Sequence, residues 1–159
     1  MSTAVTPLFK PFTLGNLELS NRIVMAPMTR NFSPKGVPNQ AVVDYYRRRA
    51  ESGVGLIITE GTVVDHVAAN GYPNVPHFYG DEALAGWKQV VDAVHAAGGK
   101  IAPQLWHVGL ARRPGTGPHP DAASDSPSGV LPNGVRHHGG LACGRSALRA
   151  GPAGGRRLR

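Results

Sequence analysis

The sequence predicts an α/β fold built on a parallel β-sheet. Three short, nearly continuous apolar runs at 22–27, 55–60 and 100–106 are typical of strands that are covered on both faces. Two segments in which apolar residues recur at helical spacing separate these runs. The order strand–helix–strand–helix–strand favours parallel strands joined by right-handed crossovers.

Capping residues predict where the two helices begin and end. The first helix is expected to follow Asn39, a good N-cap residue, and to stop at Gly53. Its predicted core face consists of Val42, Val43, Tyr46 and Ala50. The second helix is expected to follow Asp81 and to end at Gly98 and Gly99. Its predicted core face consists of Leu84, Trp87, Val90, Val91 and Val94.

A β-hairpin is predicted before the first parallel strand. Segments 12–14 and 17–19 flank Gly15 and Asn16, a two-residue turn of the hairpin type. A hairpin in this place can plug the bottom of a barrel. Residues 114–134 show no periodicity and are rich in Gly, Pro and Ser, so we expect a loop there.

Composition limits the class of protein. The 159 residues suffice for about one domain, and the single cysteine, Cys143, excludes an intramolecular disulfide and a cysteine-based metal cluster. The apolar runs fall short of the ~18 residues that a membrane span requires. The N-terminus lacks the pattern of a secretory signal. We therefore expect a soluble, cytoplasmic chain.

The positive charge is concentrated at the C-terminus. The net charge is +7, and residues 135–159 contain six Arg but no Asp or Glu. This Gly-, Arg- and Ala-rich tail has too few large apolar residues to form a core, so the sequence predicts a folded domain at 1–134 and a disordered tail at 135–159. Nonspecific nucleic-acid binding through the tail is one alternative function; specific recognition is not expected.

Candidate functional residues follow each predicted strand, where parallel α/β folds bind ligands. After the first strand come Ala26, Pro27, Met28 and Thr29. Gly61 follows the second strand, and Gln104 and Trp106 end the third. Each also has a purely structural explanation: the Thr caps a turn, the Gly forms a turn, and the Gln and Trp are buried in the core. Three such sites on successive strands favour a shared ligand.

Four motifs carry a resemblance to a known family. The segments LFKPFTLGNLELSNRIVMAPMTR, GLIITEGT, NGYPNVPH and KIAPQLWHVG occur in this order. The chain thus resembles the old yellow enzyme family, closely over 7–112 and loosely to 134. The resemblance implies an FMN-dependent NAD(P)H oxidoreductase of the ene-reductase type. It also implies the N-terminal portion of a (β/α)8 TIM barrel: the hairpin and roughly three of eight units.

The resemblance implies roles for the strand-end residues. Residues 26–28 are expected under the flavin ring, with Thr29 bonded to its carbonyl edge. Gly61 is expected beside the ring and Gln104 at its pyrimidine edge, where an amide can both donate and accept. The flavin would carry the hydride chemistry, and the protein would hold and tune it.

The resemblance also implies a substrate pocket, shaped by Tyr72 and Trp106. The segment from His66 to Tyr72 is similar to the family's His-x-Ala-Asn-Gly-Tyr catalytic motif, but it has one residue too many. We therefore interpret it as the substrate loop and do not assign His66 as catalytic. The sequence has no counterpart of the family's His/Asn or His/His pair or of its proton-donating Tyr, so no catalytic residue is assigned.

The implied reaction uses NAD(P)H as co-substrate and a small α,β-unsaturated carbonyl or nitro compound as acceptor. The change of composition after residue 134 motivates a second hypothesis, in which the chain is a truncated or frameshifted form of such an enzyme. A catalytically inactive fragment unable to bind FMN alone is therefore the main alternative. The preferred nicotinamide, the physiological substrate and the oligomeric state stay open.

Overall fold

A computed structural model describes residues 5–113, 115–130 and 134. Its strands and helices alternate as the sequence predicts. In chain order the elements are β1 (Phe12–Leu14), β2 (Leu17–Leu19), β3 (Val24–Met25), α1 (Gln40–Glu51), β4 (Leu56–Val63), α2 (Asp81–Ala96) and β5 (Ile101–Trp106). Short 3-10 turns occupy Thr6–Phe9, Pro34–Gly36 and Gly109–Ala111.

The main sheet is parallel and has the order β3–β4–β5. Val24 aligns with Leu56 at one interface, and Ile57 aligns with Ile101 at the other. Helices α1 and α2 pack against each other and against the sheet. Their shared core consists of Val42, Val43, Tyr46, Ala50, Ile57, Trp87, Val90 and Val94. The sheet and its two crossover helices confirm the predicted α/β class.

Helix α1 begins where its cap predicts. Asn39 accepts a hydrogen bond on its side-chain oxygen from the Val42 backbone N–H at 3.2 Å, as an N-cap residue should. Helix α2 begins at Asp81 itself, with Gly80 as its N-cap.

The prediction that Leu84 faces the core is wrong, because Leu84 is 44% exposed. A Cβ at Gly86 would lie 2.5 Å from the carbonyl oxygen of Pro38, which lies just before α1. The Gly86 face of α2 therefore packs closely against the backbone at Pro38. The contact sets the rotation of α2: Ala83, Trp87 and Val90 point inward, and Leu84 lies one position outside that stripe.

The strand boundaries differ from the predicted ones. Only Val24 and Met25 form β3, whereas β4 continues past Glu60 to Val63. Gly61 therefore lies within a strand rather than after it, because β5 supplies pairing partners as far as Val63. The expected burial of β5 on both faces is also wrong, since Pro103, Gln104 and Leu105 are exposed.

The predicted hairpin is present as β1 and β2, and it forms a two-stranded sheet of its own. Gly15 occupies its turn at a φ of 57°, a left-handed conformation that favours glycine. Residues 115–130 form turns and bends, as expected for a loop. The predicted tail at 135–159 lies outside the described residues. Within the described ranges, helices of sufficient length and apolar character to cross a bilayer are absent.

Candidate functional site at the carboxyl ends of the parallel strands

An irregularity in β4 sets the geometry of the site. The register between β4 and β5 shifts between Ile58 and Gly61. The Thr59 hydroxyl bridges this bulge: it donates to the Glu60 carbonyl at 2.8 Å and accepts from the Gln104 N–H at 3.1 Å. Bulges re-aim the side chains that follow them. Here the bulge brings Gly61 opposite Gln104 across the two strands.

Gly61 makes room for the indole of Trp106. A Cβ at Gly61 would lie only 1.9 Å from the indole, so no larger residue fits without movement. Tyr72, from the loop after β4, packs on the same indole with ring centroids 5.4 Å apart and the planes tilted by 35°. The structure thus brings together both residues predicted to shape the substrate pocket, and it places Gly61 beside them.

The segment after β3 is fastened to the end of β4. The Arg30 N–H donates to the Glu60 carboxylate at 2.9 Å. This bond ties Thr29 and Gly61 to the same region, since each is adjacent to one of the bonded residues. Residues 26–29 are exposed. Gln104 is exposed as well, so it is not the buried structural amide that its local sequence also allowed.

The network around Glu60 was not predicted. Glu60 is only 1% exposed, and this burial raises the pKa of its carboxyl, while the backbone N–H and the charge of Arg30 oppose the rise. The Glu60 N–H donates to the Tyr46 hydroxyl at 2.8 Å, and burial raises the pKa of Tyr46 as well. The acidic residue that ends the apolar run 55–60 was the signal for this network.

Arg30 extends the network to the surface of α1. Its guanidinium lies 3.5 Å from the ring centroid of Tyr45, and the guanidinium of Arg49 lies at the same distance from that ring. Cation–π contacts of this kind hold an arginine against an aromatic face. The loop that carries Thr29 is thereby attached to both β4 and α1.

A second polar cluster lies beyond the ends of β4 and β5. His66 Nδ1 is 3.2 Å from His107 Nε2, and His66 Nε2 is 3.5 Å from an Asp125 carboxylate oxygen. Burial lowers the pKa of His107, and the neighbouring His66 lowers it further. His66 was predicted only as part of the substrate loop, and no signal in the sequence linked it to Asp125.

A shallow surface cavity of about 260 Å³ lies at the start of α2. Lys35, His77, Tyr79 and Asp81 contribute to its lining. None of the residues predicted to contact a flavin or a substrate lines it, so this cavity is distinct from the candidate site.

Three parallel strands, each followed by exposed polar or aromatic groups at its carboxyl end, define part of a parallel α/β enzyme fold. A family model confirms the class: residues 7–145 match the NADH:flavin oxidoreductase / NADH oxidase family. The chain belongs to this family, the old yellow enzyme family that its motifs resemble. The match extends past residue 134, where the folded domain was predicted to end.

Curated relatives agree with the family assignment. The chain is 50% identical over 105 residues to 12-oxophytodienoate reductase 7 of Oryza sativa subsp. japonica, covering 66% of this chain and 26% of that protein. It is 45% identical over 128 residues to a flavin oxidoreductase of Emericella nidulans, covering 76% of this chain and 32% of the relative. The chain thus spans about a quarter to a third of the length of these relatives.

Solved structures confirm the fold. Morphinone reductase in complex with tetrahydroNAD superposes with a TM-score of 0.70 at 45% identity, covering 78% of this chain and 33% of that one. The old yellow enzyme homologue from Zymomonas mobilis gives a TM-score of 0.67 at 35% identity, covering 76% and 33%. These relatives are TIM-barrel enzymes, so the predicted portion of a (β/α)8 barrel is confirmed.

Proposed function

We propose that this chain contributes the flavin-edge half of the active site of an FMN-dependent NAD(P)H oxidoreductase. The observation that carries the proposal is the grouping of Gly61, Gln104 and Trp106 at the ends of β4 and β5. The Arg30–Glu60 bond fastens the segment that carries Thr29 beside them. Family membership and the flavin oxidoreductases among the relatives support the same function.

The exposed groups suit a flavin in their hydrogen-bonding chemistry. Gln104 offers an amide that donates and accepts, and Thr29 offers a hydroxyl that does the same. The isoalloxazine edge alternates carbonyl and N–H groups, which such residues can satisfy together. FMN, when bound, supplies the hydride-transfer chemistry.

The remaining residues position and shield the reacting groups. The Thr29 hydroxyl would orient the ring from the β3 side and Gln104 from the β5 side. Trp106 and Tyr72 form a continuous aromatic surface that would exclude water from the substrate. Residues Ala26, Pro27 and Met28, which are exposed, would support the flavin ring.

The proposed reaction class is reduction of an activated C=C bond, in an α,β-unsaturated carbonyl or nitro compound, with NAD(P)H as the electron source. The names of two relatives, 12-oxophytodienoate reductase and morphinone reductase, support an enone acceptor. No residue of this chain is assigned as the proton donor or as the ligand of the electron-withdrawing group. We further propose a cytoplasmic location for the protein.

The two alternatives, an oxidoreductase and an inactive truncated form, differ in whether this chain binds FMN without further barrel strands. The test is a titration of the purified chain with FMN. Binding is measured by the quenching of flavin fluorescence and by the absorption spectrum of the bound flavin. Stoichiometric, tight binding would support a complete site and would call for an NADPH oxidation assay. A folded, soluble chain that leaves the flavin signal unchanged would support the inactive form.

Matched variants locate any bound flavin. Thr29→Val and Gln104→Ala should each weaken FMN binding roughly two- to tenfold, the worth of one hydrogen bond. Thr13→Val on the hairpin and Gln89→Ala on α2 remove the same groups from other exposed positions and should leave binding unchanged. Equal affinities across all four variants would place the flavin elsewhere and contradict the proposed site.

A further inference from the structure

His66, His107 and Asp125 form a cluster that the proposed oxidoreductase chemistry does not use. His66 lies in the loop just after β4, and His107 directly follows β5. The two residues therefore meet because neighbouring parallel strands end at the same edge of the sheet. Asp125 comes from the segment 115–130 and closes the cluster from the other side.

The distances within the cluster suit a shared ion. One nitrogen from each ring and one carboxylate oxygen lie within 4.8 Å of one another. His66 Nδ1 and His107 Nε2 are 3.2 Å apart, close to the separation of about 3.3 Å between two ligands bound to zinc by bonds of ~2.0 Å at tetrahedral angles. The carboxylate needs only a modest approach. Both imidazoles are exposed, and each accepts one backbone hydrogen bond at Nδ1, from the Ala68 N–H at 3.3 Å for His66 and from the Gly109 N–H at 3.1 Å for His107. Binding a metal at His66 Nδ1 replaces the Ala68 bond.

We propose that His66, His107 and Asp125 bind a divalent transition-metal ion of the zinc type. Two imidazoles and one carboxylate are a ligand set that zinc-like ions prefer, whereas magnesium and calcium select oxygen ligands. Three protein ligands leave a coordination position open to water. The site would lie at the carboxyl end of β5, because His107 directly follows Trp106 in the chain. Metal binding here goes beyond the proposed flavin chemistry and requires none of it.

The hydrogen bonds within the cluster predict a tautomer change on binding. The Gly109 N–H donates to His107 Nδ1 at 3.1 Å, which leaves the ring proton of the neutral imidazole on Nε2, facing His66. A metal bound at Nε2 requires this proton to move to Nδ1, where the ring can no longer accept from Gly109. Nitrogen NMR of the imidazoles reports such an exchange directly.

The test titrates the full chain with Zn²⁺ against a chromophoric chelator at pH 7.5, where unperturbed imidazoles are mostly neutral. One equivalent is expected to bind. His66→Gln and His107→Gln should each weaken binding at least about tenfold, and Asp125→Asn about tenfold. Zinc should also shift the His107 nitrogen resonances, because the tautomer changes. Since all three side chains are at least partly exposed, circular dichroism should show that the variants stay folded.

Two controls keep the experiment decisive. His95→Gln removes an exposed histidine of α2 and should bind zinc as the unmodified chain does. His137→Gln combined with His138→Gln removes the adjacent histidine pair of the C-terminal sequence and should likewise have no effect. The proposal is overturned if the chain fails to take up an equivalent of Zn²⁺, if the cluster variants bind as tightly as the unmodified chain, or if only the paired C-terminal variant loses binding.

Discussion

Glu60 is a carboxyl buried between the loop after β3 and the helix α1. Its Oε2 accepts from the Arg30 N–H, while Oε1 has no hydrogen-bond partner among the described residues. An ionised carboxylate with an unsatisfied oxygen is costly to bury. The raised pKa of Glu60 follows mainly from this desolvation. The charge state of Glu60 therefore affects the stability of the fold.

The pH dependence of unfolding should reveal this group. The pKa of Glu60 is raised in the folded state above its ordinary 4.5, so the folded chain binds this proton more tightly than the unfolded chain does. Protonation of Glu60 therefore stabilises the fold, and this stabilisation is fully present below pH 4.5. It is lost as pH rises through the folded pKa. Glu60→Gln should remove this loss, so that in urea-unfolding measurements the stability of the variant relative to the unmodified chain should increase as pH rises above 4.5. Parallel pH profiles for the two proteins would contradict the prediction.

Gly61 provides a second residue-scale prediction. Gly61→Ala should destabilise the chain by about 1–3 kcal/mol, because the added methyl overlaps the Trp106 indole. The free energy of unfolding in urea measures this cost. Gly71→Ala is the matched control, since its added methyl would meet nothing closer than 3.4 Å, and it should change stability by less than about 0.5 kcal/mol.

A double-mutant cycle distinguishes overpacking from a backbone effect at Gly61. In a Trp106→Ala background the indole is gone, so Gly61→Ala should cost much less than in the unmodified chain. The same loss in both backgrounds would show that the indole is not the cause. Gly61 was predicted to border a flavin. The local sequence does not reveal that the indole of Trp106 lies against Gly61, because that contact depends on the strand register.

At the scale of single elements, α1 depends on its cap. Asn39 accepts from the Val42 N–H and donates to the Phe32 carbonyl at 3.3 Å, so it also fastens the preceding loop. Asn39→Ala should lower the free energy of unfolding by about 0.5–2 kcal/mol. Asn39→Asp retains the cap and should restore most of the loss. Gln40→Ala, one residue further on, should change stability little, and a similar loss there would argue against a specific capping role.

Helices were predicted more accurately than strands, for a physical reason. The four predicted core residues of α1 are all buried because apolar spacing and the Asn39 cap are local properties of the sequence. The end of β4 depends instead on how far β5 continues to pair with it, and the bulge at Thr59 and Glu60 depends on a hydroxyl bond across strands. The Leu84 error has a similar origin, since contact between Gly86 and Pro38 sets the rotation of α2.

The candidate site, like the fold, was only partly predictable from the sequence. Gly61, Gln104 and Trp106 were predicted from their positions near strand ends, and Tyr72 from the family resemblance. The structure pairs Gly61 with Gln104 and packs Tyr72 on Trp106. The Glu60–Tyr46 bond and the meeting of His66 with Asp125 join residues far apart in the chain. No local pattern reveals such pairs.

At the scale of the whole molecule, the sheet leaves strand edges and one face open. In the part of the chain that the structure describes, β3 and β5 each pair with β4 alone. The apolar side chains of Leu105 (59% exposed), Met28 (52%) and Val24 (49%) lie on these strands or just beyond their ends. Open edges beside exposed apolar residues favour pairing with other chains. We therefore expect the purified chain to associate as its concentration rises.

Leu105 offers the clearest test of this association. Leu105→Gln removes the most exposed apolar side chain of β5 and retains the backbone edge, so it should shift association to higher concentrations in sedimentation velocity experiments and reduce the binding of a hydrophobic dye. Leu84→Gln, an exposed leucine of α2, is the matched control and should behave as the unmodified chain does. If both variants associate less, general surface hydrophobicity is responsible. If neither changes, association does not proceed through the open face of β5, and another surface must be sought.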